Sequence, residues 1–69
     1  MLAANDNAVL VSLNDCVRMT SLSRSMLNRL REQGRFPSAI PLGERKIGFV
    51  KSEVAEWIAD RINRARAAA

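Results

Sequence analysis

The sequence predicts a mainly α-helical domain that carries one small β-hairpin, and three observations indicate this fold class. Apolar residues recur at helical spacing in three segments. Two short runs of alternating apolar residues lie between the second and the third of these segments, and a turn sequence joins the two runs. With 69 residues, of which 48% are hydrophobic, the chain is expected to form a single globular domain.

The first two helices are predicted to be short and joined by a tight turn. Ser12 is the expected N-cap of the first helix, at about residues 13–19, and Asp15 follows three positions later as in a capping box. Ser23 is the expected N-cap of the second helix, and Gly34 ends it. Two short helices with this connection are typical of a helix-turn-helix motif.

Apolar residues define the buried side of these two helices. The first helix contributes Leu13, Cys16 and Val17, and the second contributes Met26, Leu27 and Leu30. We expect Leu22 to fill the angle between the helices.

The segment after the second helix alternates with period two, which predicts two half-buried strands. The alternating apolar residues are Ile40 and Leu42 in one strand and Ile47 and Phe49 in the other. Residues 43–46 form the expected hairpin turn, and the hairpin is expected to be a small wing on the helices. Pro41 lacks an N–H group and is expected to face the open edge. The short apolar run at 9–11 predicts either a small strand or an extended cover over the core.

Ser52 is the predicted N-cap of the third helix, with acidic residues following it at the positive helix end. Its apolar stripe consists of Val54, Trp57, Ile58 and Ile62. We expect Trp57 to anchor the core. The predicted organisation is a disordered lead-in at 1–8, a domain at 9–66 and a frayed tail at 67–69, the fraying beginning near Ala65.

Positive charge is concentrated in the middle of the chain. Residues 1–17 carry two acidic and no basic side chains, residues 18–51 carry eight basic and two acidic, and residues 52–69 carry three of each. A basic region of this kind attracts polyanions. The alternative is a basic surface that only keeps the protein in solution.

Composition excludes several function classes. One cysteine and no histidine rule out an internal disulfide and a zinc site. Cys16 is expected to be a small buried hydrophobic residue, with a reactive thiol as the alternative. No apolar run reaches the ~20 residues that span a membrane, and no secretory pattern opens the chain. We therefore expect a cytoplasmic, nucleoid-associated protein without catalytic residues, cofactor, metal or small-molecule substrate.

Three stretches in this order resemble the AlpA family of small DNA-binding regulators from phages and mobile elements. They are LSRSMLNRLREQGRFP at 22–37, PLGERKIGF at 41–49 and SEVAEWI at 52–58, and the resemblance covers about residues 10–62. The family is related to excisionases and implies a MerR-like winged helix-turn-helix of three helices plus a wing. This chain departs from the family in having Ser21 where glycine is frequent, Asn28 near a usual tyrosine and Phe49 where tryptophan is common.

The second helix offers a polar side opposite its apolar stripe, which predicts a recognition helix in the major groove of double-stranded DNA. The resemblance places this helix at 23–33 and the wing tip at 44–46. The expected DNA-binding residues of the helix are Ser23, Arg24, Ser25, Asn28, Arg29 and Arg31, and those of the wing and its flank are Arg35, Arg45, Lys46 and Lys51.

Individual roles follow from side-chain chemistry. Asn28 can bond adenine bidentately, and Arg24 or Arg29 can bond guanine. Ser25 can bond a phosphate or a base edge. Arg45, Lys46 and Lys51 are expected to neutralise phosphates, unless the hairpin tip is only solvated. For Arg31 and Arg35 the alternatives are likewise a phosphate contact or a solvated side chain. The arginines at 61, 64 and 66 either stabilise the end of the third helix or add backbone contacts.

Two roles in a mobile element agree with such a domain. One is an excisionase, or recombination directionality factor, that bends attachment-site DNA for an integrase, and the other is a transcription regulator at a promoter. The sequence shows no effector or dimerisation domain, which favours the excisionase slightly. Because one small domain makes few phosphate contacts, we expect self-association on DNA. The second class of function is a protein–protein adaptor. An adaptor would need an exposed apolar patch, and few apolar residues are expected to remain exposed once the core is filled.

Overall fold

The computed structural model describes residues 8–68, so most of the expected lead-in, residues 1–7, and Ala69 of the tail lie outside the described residues. The elements are β1 (Leu10–Val11), α1 (Leu13–Thr20), α2 (Arg24–Glu32), β2 (Ile40–Gly43), β3 (Lys46–Val50) and α3 (Lys51–Ala68). Three helices with a small antiparallel sheet form a winged helix-turn-helix, which confirms the predicted fold.

A reciprocal capping box begins α1, as the sequence predicts. The Asp15 N–H donates to the Ser12 hydroxyl at 3.0 Å, and the Ser12 N–H donates to the Asp15 carboxylate at 2.9 Å. Donation from the Ser12 backbone and hydroxyl, together with the Arg18 guanidinium, lowers the pKa of Asp15 below its ordinary value. The box satisfies N–H groups that the first turn of the helix leaves without partners.

The turn between α1 and α2 depends on one residue in a left-handed conformation. Ser21 has φ 63° and ψ 17°, a region that glycine enters at little cost and serine does not. The Thr20 hydroxyl braces the turn, since it donates to the Cys16 carbonyl at 2.7 Å and accepts from the Leu22 N–H at 3.1 Å. Leu22 packs against the core between the helices, as predicted.

Gly34 ends α2 in the way the sequence predicts. Its φ is 71°, its N–H donates to the Arg31 carbonyl at 3.0 Å, and the Arg35 N–H donates to the Leu30 carbonyl at 2.8 Å. This pair of bonds is the Schellman motif, and it satisfies carbonyls that the last turn would otherwise leave free. The chain therefore reverses sharply and delivers Phe36 to the core.

The sheet has three strands in the order β1-β3-β2, and both pairings are antiparallel. The run at 9–11 thus supplies a strand, which resolves the two alternatives left by the sequence. Pro41 lies opposite Ile47 on the edge strand β2, a position that tolerates a residue without an N–H group. The register is irregular between Pro41 and Gly43.

The core is centred on six buried residues, Cys16, Leu27, Leu30, Phe36, Phe49 and Val54. Cys16 is buried as expected, and its burial raises the pKa of its thiol, which disfavours the reactive thiolate. Phe36 is a core residue that the periodic patterns do not predict, since it lies in the loop between α2 and β2. Its ring contacts Phe49 edge-on, with centroids 5.7 Å apart.

Several predicted core positions are exposed. Met26 keeps 38% of its surface accessible because it lies at the edge of the buried stripe of α2, whereas Leu27 and Leu30 are buried. The predicted half-burial of the hairpin strands holds only at the base of β3, where Phe49 is buried, since Ile40, Leu42 and Ile47 are exposed. The wing extends beyond the helices, so only Gly48 and Phe49 at its base are covered.

The third helix also differs from its prediction. It begins at Lys51, so Ser52 lies inside its first turn instead of at the N-cap. Trp57 is half-buried against the core, which makes Phe49 and not Trp57 the central aromatic residue. Ile62 is 43% exposed because the helix continues past the core, and it remains helical through Ala68, where the sequence predicted fraying.

Replacing Ser21 with glycine is expected to stabilise the domain by about 0.5–1 kcal/mol, because glycine removes the strain of the left-handed conformation. The free energy of unfolding from urea titration measures the effect. Ser25→Gly, inside α2, is the matched control and should instead destabilise by about 0.5 kcal/mol. Destabilisation by both changes would contradict the assigned turn.

Replacing Phe49 with alanine is expected to lower the free energy of unfolding by about 3–5 kcal/mol, because it opens a cavity where the sheet, α2 and the 34–39 loop meet. The same replacement at exposed Ile62 should cost less than about 0.5 kcal/mol. Thermal unfolding followed by circular dichroism compares the two variants. Equal losses would show that α3 is packed along its whole length.

Candidate nucleic-acid interface

The solvent-facing side of α2 carries most of the predicted DNA-binding residues. Leu27 and Leu30 point into the core, and the opposite side presents Ser25, Arg29 and Glu32, all exposed. Ser23 precedes the helix and is also exposed, and its hydroxyl accepts from the Met26 N–H at 3.1 Å as the N-cap. The cap leaves the hydroxyl proton of Ser23 available to an acceptor outside the protein.

Arg24 lies in the first turn of α2 and reaches back to α1. One of its guanidinium nitrogens, Nη2, donates to Oδ1 of Asn14. This contact leaves other guanidinium N–H groups of the exposed Arg24 side chain for a ligand. Asn14 lies ten residues away in sequence, and no local pattern identified it as a supporting residue.

Asn28 and Arg31 form a second polar pair, and both side chains are half-buried. Nη1 of Arg31 donates to Oδ1 of Asn28 at 2.8 Å. The guanidinium carbon of Arg31 also lies 5.4 Å from the ring centroid of Phe49, which is within cation–π distance. Arg31 thus lies between the Asn28 amide and the core. A spacing of three residues on a helix is the sequence signal that predicts such a pair.

The hairpin turn presents Arg45 and Lys46, both exposed, beside Glu44. Lys51 is separated from them by the length of β3, about 17 Å for five residues of strand. It borders α1 instead, in a depression with Asp15 and Arg18. The structure therefore places Arg45 and Lys46 together at the wing tip and Lys51 at the other end of the strand.

Arg35 lies between α2 and the wing, on the side of α3. Its carbonyl accepts from the indole N–H of Trp57 at 2.8 Å, and its guanidinium donates to Gln33 at 3.4 Å. The Arg61 guanidinium stacks 4.6 Å from the Trp57 ring centroid. A cleft of about 500 Å³ opens here, and its charged lining is Arg35, Glu53, Glu56, Asp60, Arg61 and Arg64.

More apolar surface is exposed than the sequence predicted. The exposed large residues are Val9, Leu10, Met26, Ile40, Leu42, Ile47 and Ile62. Several belong to the sheet, where Leu10 pairs with Val50 and Ile40 pairs with Gly48. A Cβ atom on Gly48 would lie 2.9 Å from Leu42 Cδ1 and 3.6 Å from Leu10 Cβ, so these side chains converge over Gly48.

Residues 8–68 do not meet the residue requirements of a metal site or of a membrane-spanning helix. No group of three or more acidic, cysteine or histidine side chains is placed to hold a metal ion there. Among the helices of the same part of the chain, none has the length and apolar character to cross a bilayer.

Residues 9–62 match the family model of the prophage CP4-57 regulatory protein, AlpA. This match extends from before β1 into the second half of α3 and includes the helix-turn-helix and the wing. The chain belongs to the AlpA family. This membership agrees with the family resemblance of its motifs.

This AlpA-family chain is also similar to an uncharacterized protein, ORF88, of Enterobacteria phage P4. The two are 35% identical over 48 residues, which cover 70% of this chain and 54% of the phage protein. The chain thus spans about half the length of that relative. No solved structure matches this chain significantly.

Proposed function

We propose that this protein is a sequence-specific DNA-binding protein of a mobile genetic element that acts as an excisionase, or recombination directionality factor. It bends attachment-site DNA so that an integrase can excise the element. The proposal rests on one observation: this AlpA-family winged helix-turn-helix has two elements that are both basic and exposed. These elements are the outer side of α2 and the tip of the β2–β3 hairpin. Similarity to a protein of phage P4 supports the mobile-element setting.

In this proposal α2 reads bases and the wing neutralises phosphates. Arg24, Asn28 and Arg29 contact base edges in the major groove, with Ser23 and Ser25 bonding phosphates or base edges. Arg45 and Lys46 bind the backbone or the adjacent minor groove. Arg31 contacts Asn28 and Phe49 within the protein. Arg35 and Lys51 are exposed but lie outside both α2 and the hairpin tip. Any phosphate contact that these three residues make is auxiliary.

An architectural role needs binding groups on separated elements, and the exposed basic residues of α2 and of the hairpin tip support this part of the proposal. DNA that curves to touch both α2 and the wing gains phosphate contacts that offset the cost of bending. The integrase partner, the nucleoid and cytoplasmic location and self-association on DNA belong to the same proposal. A single domain with so few basic contacts would bind weakly at physiological salt, so several copies on adjacent sites would be required.

An AlpA-type transcription regulator at a promoter is the alternative within the same class, because the same contacts would hold it on DNA. A protein–protein adaptor is a second candidate, and the exposed apolar side chains on the sheet favour it. The adaptor would use the sheet, whereas the DNA-binding role uses α2 and the hairpin tip.

Alanine at Arg24 or Asn28 is expected to weaken binding to the specific site by about 10- to 100-fold and to relax its sequence preference, because base contacts carry about 1–3 kcal/mol each. Lys46→Ala should weaken binding about equally on all sequences and reduce the salt dependence. Fluorescence anisotropy titrations on specific and random DNA, at several salt concentrations, separate the two effects. A preference unchanged by Asn28→Ala would show that the reading side of α2 is misplaced.

Binding to the attachment site of the source element is expected to appear as tight, stepwise shifts in a gel-shift titration. Random DNA of equal length is the control, and promoter DNA of the element is the competing target. Shifts confined to the promoter would support the transcription regulator. Equal affinity for random DNA at moderate salt would reject sequence-specific binding and leave the adaptor as the better hypothesis.

A further inference from the structure

The geometry points to Arg31 as a positioning residue that sets which base edge Asn28 can read. We propose that Arg31 holds the Asn28 amide with its oxygen inward and its NH2 group toward the ligand, so that Asn28 selects guanine and not adenine. This inference rests on the proposed function, because it concerns the same reading side of α2.

The orientation of the amide follows from the chemistry of its partner. A guanidinium group carries five donors and no acceptor, so the amide atom that faces it is the oxygen. Nη1 of Arg31 lies 2.8 Å from Oδ1 of Asn28, at normal hydrogen-bond distance. Nδ2 of Asn28 is therefore the atom turned away from Arg31.

Arg31 is itself fixed on its other side. Its guanidinium lies 5.4 Å from the centroid of Phe49, whose side chain is fully buried. Arg31 and Asn28 are both half-buried, whereas Arg29 on the same helix is exposed. A guanidinium that is stacked on a core ring and bonded to an amide is less free to move than a solvated arginine. The core thus determines the orientation of Asn28 through Arg31.

The exposed end of Asn28 then consists of two N–H donors. Guanine presents two acceptors in the major groove, N7 and O6, whereas adenine presents one acceptor and one donor. Bidentate binding of adenine needs Oδ1 and Nδ2 side by side against the base, but the bond to Arg31 turns Oδ1 away from that position. The amide therefore matches guanine, which changes the adenine contact expected from the residue type alone.

The test measures base preference at one position. Binding-site selection with Asn28→Ala first identifies the base pair at which the wild-type preference is lost. Dissociation constants are then measured for all four bases at that pair with wild-type protein, Arg31→Met and Arg18→Met. Methionine keeps an apolar side chain near Phe49 but removes the donors. Arg18→Met is the matched removal of one exposed positive charge, on α1 and outside the proposed DNA-binding residues.

Wild-type protein is expected to prefer guanine over adenine by about tenfold, the order of discrimination of one good base contact. Arg31→Met should reduce this ratio to about twofold, since the amide is then free to rotate, and Arg18→Met should leave it unchanged at this pair. Combining Arg31→Met with Asn28→Ala should remove no more of the preference than Asn28→Ala alone. A wild-type preference for adenine, or an Arg31→Met variant that loses affinity equally for all four bases, would overturn the inference.

A second variant keeps the test decisive if Arg31→Met does not fold. Asn28→Asp retains the contact with Arg31 but turns an acceptor outward, so the preference should change from guanine to cytosine, whose N4 group donates. Guanine preference that survives this change would also overturn the inference. Absence of any sequence preference in wild-type protein would reject the proposed function itself, whereas a preference that is insensitive to Arg31 would reject only its positioning role.

Discussion

Contact among three aromatic rings holds this small domain together. Phe49 is fully buried in the central strand, Phe36 meets it edge-on at 5.7 Å, and Trp57 meets Phe36 at 5.1 Å. These rings belong to the sheet, to the loop after α2 and to α3, so one cluster joins elements that are distant in sequence. Arg31 lies over the same Phe49 ring, which connects the core to the helix proposed to read DNA.

Two left-handed residues place that helix. Ser21 turns the chain before α2, and Gly34 turns it afterwards, with φ values of 63° and 71°. The first turn fixes the angle between α1 and α2, and the second returns the chain so that Phe36 enters the core and the wing can begin. The position of α2 is thus set by local backbone geometry at both ends and by the burial of Leu27 and Leu30 between them.

Much of the fold could be predicted from local signals. The capping box at Ser12, the cap at Ser23 and the glycine stop at Gly34 are encoded within a few residues, and the structure confirms each of them. The exposed polar side of α2 and the basic hairpin tip could also be predicted, since spacing along a helix and residue types at a turn are properties of the sequence. The position of Lys51 beside α1, away from that tip, could not. Ser52, in contrast, has the chemistry of a cap but follows β3 so directly that the helix begins one residue earlier.

Burial and the partners of individual side chains were decided by the tertiary structure alone. Alternation in the hairpin predicts an apolar side, but only packing determines that no helix covers Ile40, Leu42 and Ile47. Phe36 looks like a loop residue until the chain reversal at Gly34 brings it to Phe49. The contacts of Arg24 with Asn14 and of Arg31 with Phe49 join residues 10 and 18 positions apart. The sequence by itself determined which local elements form and where charge accumulates, because caps, turns and periodicity act within a few residues. The tertiary structure decided which side chains are buried, paired or exposed, because these properties depend on contacts between elements that are distant in sequence.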